Sequence, residues 1–336
     1  MPYHIYKLGQ LRAELIFNKL MEFLTSIEKI NKRARAKFTQ EPLLRALIGL
    51  NTRYQNRYIE TLNCSELIYR EAGKLKSRYC RNRWCKVCNR IRTGLLINGY
   101  SEALENMPDK QFVTLTIKNV SAEKLRPAIK QMLKTCRIIQ ERRRKLDKLP
   151  GINAIRKLEC TYNPGQNNYH PHFHFIVGSL DEAEYLKKAW ISFYPETNER
   201  AQDIRPAYNP AELFKYFTKL TSKTSVEARK YKSGTIKITN EYIYPEAIDI
   251  IFQAIEKIRI IQPMGKITMV KDEIDELQAE EIDETISQEE ADNFYLWAGY
   301  YWYSPYTGTI LSSFKPTKKI VTFAERIRYL KKEPAT

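Results

Sequence analysis

Histidine is nearly absent from this chain: 336 residues hold four, and three of those fall in His170-Pro171-His172-Phe173-His174. Long apolar runs are absent too. No stretch approaches the ~20 residues needed to span a bilayer, which argues against a membrane partner. The first residues, 1–9, lack the basic-then-apolar order of a secretory signal. Six cysteines without such a signal point to a reducing, cytoplasmic setting, with metal or free thiols rather than disulfides. There is no internal repeat and no phosphate-cradling glycine loop. Acidic residues are scarce everywhere but one segment: 272–292 carries 11 acids and no lysine or arginine. The rest therefore sets 56 basic against 28 acidic residues, a surplus of +28 on a chain whose net charge is +17 and pI about 9.4. That surplus suggests a polyanionic partner, nucleic acid first.

The scarce histidines sit in an apolar-alternating run. In a strand, side chains alternate between faces, so His170, His172 and His174 share one face while Phe173, Phe175 and Val177 take the other. Two imidazoles two residues apart on a rigid strand can reach one metal ion. Residues 153–162 read as a preceding strand, with Asn163-Pro-Gly-Gln-Asn-Asn168 as the turn. A symmetric hairpin puts Glu159 opposite His172 on the same face. Glu159 then either joins the ligand set or is a plain surface acid.

Four cysteines form a second cluster, Cys64, Cys80, Cys85 and Cys88, spaced C-x15-C-x4-C-x2-C. Two tight turns bearing thiolates are what a tetrahedral four-cysteine zinc site requires. Arg83, Lys86, Arg90 and Arg92 surround it, and with Trp84 they suit contact with DNA backbone and stacking on bases. Cys136 and Cys160 lie in apolar settings and read as buried thiols.

Helices are expected over 11–28, 42–58, 90–104, 122–146, 181–193 and 246–261, and a strand over 111–119 with Val113, Leu115 and Ile117 on one face. A further helix begins at Asn209-Pro210, and it sets Glu212, Tyr216 and Lys219 on one face at i, i+4 and i+7. From that helix alone, an ordinary amphipathic segment is the simpler reading. Residues 294–314 are crowded with aromatics that pack on the body or stack on bases.

A strand with Phe-Val-Thr-Leu-Thr, a strand with His-Pro-His-Phe-His and a helix with Glu-x-x-x-Tyr-x-x-Lys follow one another here. In that order, and with the cysteine cluster before them, they resemble the rolling-circle replication initiators of small bacterial plasmids. These belong to the HUH endonuclease superfamily, and the closer resemblance is to the group pairing one catalytic tyrosine with a glutamate. The resemblance implies an α+β fold: an antiparallel sheet of ferredoxin-like or RRM-like HUH type with flanking helices, plus a small four-cysteine zinc-binding element. The chain then divides into an N-terminal helical DNA-binding region at 1–60, the zinc element at 61–95, an endonuclease core at 96–262, and an acidic segment with an aromatic-rich C-terminal region at 263–336; the N-terminal helices and the long acidic segment depart from the family's pattern. His172 and His174 become ligands of Mg2+ or Mn2+, with Glu159 or His170 completing the set; imidazole leans toward Mn2+ and availability toward Mg2+. Tyr216 becomes the nucleophile, Glu212 the group that activates water at termination, and Lys219 a steadying charge. DNA at an origin, a host helicase and a polymerase are the implied partners. A transposase or relaxase of the same superfamily, or a non-catalytic zinc-dependent DNA-binding regulator, are the competing readings.

Overall fold

The computed structural model describes residues 28–71, 74–107, 109–214, 222–231, 234–269, 294–317 and 326–329. The expected helix at 11–28 and the acidic segment at 272–292 lie outside the described residues, apart from residue 28. Contacts divide the chain into two units, each assembled from segments distant in sequence: 1–45, 56–88 and 277–323 in the first, and 46–55, 89–276 and 324–336 in the second.

The second unit is built on a five-stranded sheet. Its strands are β3 (Gln111–Thr116), β4 (Ala154–Asn163), β5 (Asn168–Val177), β6 (Asp203–Pro206) and β9 (Ile261–Met264), in the order β6-β3-β5-β4-β9. Every neighbouring pair is antiparallel. The histidine strand β5 is central, so both of its edges are hydrogen-bonded and its side chains are held rigidly in register. Phe173, Phe175 and Val177 on one face, with Val113 and Leu115 of β3, are fully buried. Helices α4 (Ala122–Lys145), α5 (Leu180–Phe193) and α6 (Pro245–Ala254) contact the sheet. From α4, Leu125, Ile129, Met132, Cys136 and Ile139 recur at helical spacing and are all buried. Trp190 of α5 is also fully buried, and its indole N–H donates to the Thr116 carbonyl at 2.9 Å. A two-stranded hairpin, β7 (Ser222–Tyr231) with β8 (Gly234–Tyr242), forms a sheet of its own, with β7 in contact with β4.

The first unit carries most of helix α1, described over 28–49, and all but the first residue of α2 (Gln55–Leu62). The helix expected over 42–58 is therefore two helices, parted by turns at 50–54. Apolar residues at helical spacing, Leu43, Leu44 and Leu47, are buried and carry α1 through Pro42. Strands β1 (Leu67–Glu71), β2 (Lys74–Ser77), β10 (Phe294–Trp297) and β11 (Trp302–Tyr303) form a sheet in the order β11-β10-β1-β2. The aromatic segment assigned from sequence to the C-terminal region is thus paired with β1, Tyr295 opposite Ile68. Trp302, Tyr295 and Ile68 share a buried cluster with Ile30 and Ala34, and the Trp302 indole donates to the Ser65 carbonyl at 2.9 Å. These rings pack on their own unit.

Candidate metal centres

The hairpin of β4 and β5 pairs Glu159 with His172, Lys157 with His174 and Thr161 with His170. On the other edge of β5, β3 sets Thr116 opposite His172 and Thr114 opposite His174. Directly opposed residues share a face, so the histidines, Glu159, Lys157, Thr114 and Thr116 lie on the face away from the buried phenylalanines. Ligand atoms of Glu159, His172 and His174 all come within 4.8 Å of one another. The Glu159 carboxylate oxygen Oε2 lies 3.5 Å from His172 Nε2 and 3.4 Å from His174 Nε2. His170 stays outside this group; its ring meets that of His172 edge-on, centroids 5.3 Å apart.

Each imidazole is oriented from behind. His172 Nδ1 lies 3.1 Å from the His170 carbonyl oxygen, which can only accept, so Nδ1 donates there and the ring is held with Nε2 facing Glu159. His174 Nδ1 is 3.0 Å from the Thr114 hydroxyl. The other Glu159 oxygen, Oε1, is taken by Lys157 Nζ at 2.5 Å, a lysine only 3% exposed. Burial raises the Glu159 carboxyl, but the imidazoles of His172 and His174 and the Lys157 ammonium outweigh it and hold it well below the usual carboxylate range. Burial lowers His174, so its neutral, ligating form is favoured. Two lone pairs and one carboxylate oxygen converging on one point suit a divalent cation, which needs such donors and takes further ligands at its open positions.

Thr114, Thr116 and Lys157 were not singled out from sequence. Their signal was the threonine alternation in β3 and the lysine two before Glu159; the strand order was what placed them. Gln202, between α5 and β6, is also new: its Oε1 accepts from the Thr116 backbone N–H at 2.7 Å and its Nε2 donates to the Thr116 hydroxyl at 3.1 Å.

The remaining expected residues fare differently. Tyr216 and Lys219 lie outside the described residues. Glu212 falls in a 3₁₀ turn, Pro210–Phe214, where an α-helix was expected; a 3₁₀ turn has three residues per turn, so the i, i+4 alignment does not run through it.

In the first unit the sulfurs of Cys64, Cys80, Cys85 and Cys88 lie within 4.8 Å of one another. Cys64 Sγ is 3.6 Å from Cys88 Sγ, and Cys80 Sγ is 3.8 Å from Cys88 Sγ. Tetrahedral Zn2+ with Zn–S bonds of ~2.3 Å separates its sulfurs by roughly 3.8 Å, so the spacing fits. Backbone N–H groups of Cys80 and Cys88 point at the sulfurs of Cys64 and Cys85, 3.4 and 3.5 Å away, a setting that favours thiolate. Bonding to Cys80 pushes the Cys64 thiol up and burial pushes up that of Cys85, while bonding to Cys64 holds Cys80 well below the usual range. Cys136 is buried and pushed up to about 12 by burial, whereas Cys160 is half-buried.

Trp84 does not offer a stacking surface. Its ring is buried against Tyr58, centroids 5.6 Å apart, and its indole N–H donates to the Thr61 hydroxyl at 3.1 Å. Lys86 is likewise engaged internally: its Nζ donates to the Thr39 carbonyl at 3.2 Å, and burial lowers it to about 8. Arg90 is exposed, and Arg83 and Arg92 are half-buried.

A metal-ready histidine strand in an antiparallel sheet, with a four-cysteine cluster before it, matches a known family over residues 73–304, the one described as Replication protein. The chain belongs to that family. Among curated members, it is 28% identical over 158 residues to a Protein rep of Bacillus sp, covering 42% of this chain and 50% of that protein. It is 30% identical over 137 residues to a Protein rep of Bacillus amyloliquefaciens, covering 37% and 40%. A Protein rep of Staphylococcus aureus is 27% identical over 161 residues, covering 42% and 69%. The match spans half or less of the length of the first two relatives. No solved structure matches the chain. In this replication-protein family member, the matched region contains the Glu159, His172 and His174 group, three of the four clustered cysteines (Cys80, Cys85 and Cys88) and the whole β3–β5 sheet core. Among the described residues, no helix is long and apolar enough to cross a membrane.

Proposed function

We propose that the chain initiates plasmid rolling-circle replication by nicking one DNA strand through a tyrosine, as an HUH-type endonuclease. The observation that carries this reading is the convergence of His172 Nε2, His174 Nε2 and Glu159 Oε2 on the histidine face of β5, in a member of a replication-protein family. A divalent ion bound there supplies polarisation of the scissile phosphate and neutralisation of charge developing on it.

The chain's own residues do the rest. Thr114 and the His170 carbonyl hold the imidazole planes, and Lys157 fixes the carboxylate, so the ligands need no reorganisation when a phosphate arrives. The Tyr216 phenol, whose ordinary pKa is near 10, gives up its proton and forms an O–P bond. The bond from phosphorus to the 3′ oxygen breaks, and that oxygen takes up a proton. The products are a 5′-phosphotyrosyl enzyme and a free 3′-OH, which a host polymerase extends behind a helicase. The covalent link conserves the phosphoester for rejoining. Glu212 activates water at termination, and Lys219 steadies the phosphate. The four-cysteine zinc element and the basic surplus, Arg83, Arg90 and Arg92 included, hold origin DNA.

The test is incubation with a supercoiled plasmid bearing the cognate origin and Mg2+ or Mn2+, followed by denaturing gels. Wild type should give a nick and a protein–DNA adduct, and Tyr216→Phe should give neither. An undiminished adduct from Tyr216→Phe sinks the nucleophile assignment. Glu212→Ala should still nick but release its adduct more slowly by hydrolysis; unchanged release removes its role. Binding without cleavage by wild type would favour the regulator reading.

A further inference from the structure

The opposite face of the same sheet holds a second feature that nicking does not use. A cavity of about 400 Å³ lies among residues of α4, β4, β9 and the segment 257–259. Five of its lining residues are cations, Arg137, Arg144, Arg156, Lys257 and Arg259, and none is acidic. Arg156 is adjacent to Lys157 in β4, and strand alternation sends the two side chains to opposite faces. Its guanidinium lies 4.9 Å from the centre of the Phe173 ring, on the helix-covered side. It is 4% exposed, and one end is anchored by a 3.0 Å bond from Nη2 to Gln262 Oε1, yet its Nε has no hydrogen-bond partner. A buried charged donor left unsatisfied is costly and asks for an acceptor. None of the five cations makes an ion pair within the chain among the described residues. Arg137, Arg144, Lys257 and Arg259 are exposed at the rim, while Leu133, Ile258 and Met264 supply an apolar wall.

The ligand chemistry follows from this lining. Five like charges around one concavity repel, and a single phosphate of charge near −2 does not offset them; a run of adjacent phosphates does. The apolar wall suits a planar base, and the volume falls within the range of small-molecule sites, ~300–1,000 Å³. We propose that this cavity binds a nucleoside polyphosphate. The site is separate from the metal-ready face and does not rest on the nicking reading.

The experiment is isothermal titration of the full chain, with its zinc, by ATP, AMP and inorganic phosphate without added Mg2+, and by a short single-stranded oligonucleotide. ATP should bind more tightly than AMP or phosphate. The double variant Arg144→Gln/Lys257→Gln removes two exposed charges and should weaken ATP by about tenfold or more, the scale of losing charge-assisted contacts. Arg259→Gln, also exposed, serves as a second variant and should weaken ATP alone. His172→Ala lies on the other face and should bind ATP as wild type does. The proposal is overturned by absent ATP binding at millimolar concentration, by unchanged ATP affinity in both cavity variants, or by loss of ATP in His172→Ala. It is equally overturned if the cavity variants weaken only the oligonucleotide, which would make the cavity a DNA-backbone contact.

Discussion

Lys157 is a cation 3% exposed, whose ammonium occupies one oxygen of Glu159 while the two imidazoles meet the other. Removing one partner of a buried pair leaves the other charge uncompensated, a cost of about 3–5 kcal/mol. In Lys157→Met the carboxylate loses its cation and the site loses a positive charge that opposes a metal. The metal-free variant should therefore melt lower than wild type, and Mn2+ should raise its melting temperature more than it raises that of wild type, since a ligand stabilises by its preference for the folded state. Thermal melts with and without Mn2+ check this. Equal melting of the two metal-free proteins would mean that the pair contributes little. At this scale the sequence spoke clearly about chemistry: four histidines, three of them on one strand face, needed no structure to be noticed. It was silent on Lys157 because a lysine two residues before a glutamate is ordinary until a fold buries it. Trp84 and Lys86 erred in the opposite direction, since their residue types suit nucleic acid while their neighbours Thr61, Tyr58 and Thr39 draw them inward.

The hairpin of β4 and β5 was the most legible element. Its alternation, its Asn-Pro-Gly-containing turn and its symmetry set Glu159 against His172, and the structure has that pairing. Register is strongly specified here because a one-residue slip would turn Phe173, Phe175 and Val177 to the open face and the histidines into the core. Phe173 is fully buried, its ring against Phe175 and Trp190 with centroids 5.7 and 5.8 Å away. Phe173→Ala should destabilise the protein by about 3–5 kcal/mol, read as a shifted urea midpoint, and lower metal affinity because the flanking imidazoles lose their rigid strand. A shift below 1 kcal/mol would show that the strand is not held from this face. Short strands were not legible: β6 and β9 have four residues each and little alternation, and are strands because the edges of β3 and β4 offer them partners.

Each unit draws on chain segments far apart in sequence, so the consequences of disrupting the four-cysteine cluster should extend past the cysteine loop. Ser65, next to Cys64, gives its carbonyl to Trp302 and its backbone N–H to the Arg78 carbonyl, tying the cluster to the sheet of β1, β2, β10 and β11. Binding free energy at a structural four-cysteine site is folding free energy, on the order of 10–16 kcal/mol for isolated zinc peptides. Cys85→Ser should therefore bind less than one zinc per chain by elemental analysis and lose near-ultraviolet dichroism from the Trp302 and Tyr295 cluster. A zinc-free variant with wild-type dichroism would show that the thiols are not needed for this unit.

Residue types and spacings by themselves determined the chemistry on offer: imidazoles two apart on a strand, thiols on tight turns, and a basic surplus. These are local properties, readable wherever periodicity is 2 or a turn is short. The tertiary structure decided which groups meet. Glu159 rather than His170 meets His172 and His174, because β4 sets it directly opposite His172, while the His170 ring lies on the far side of His172 along β5 and stays outside the group. Likewise the aromatic segment 294–303 found its place beside β1 through backbone hydrogen bonds formed over more than 200 residues of separation, a pairing that no local pattern encodes.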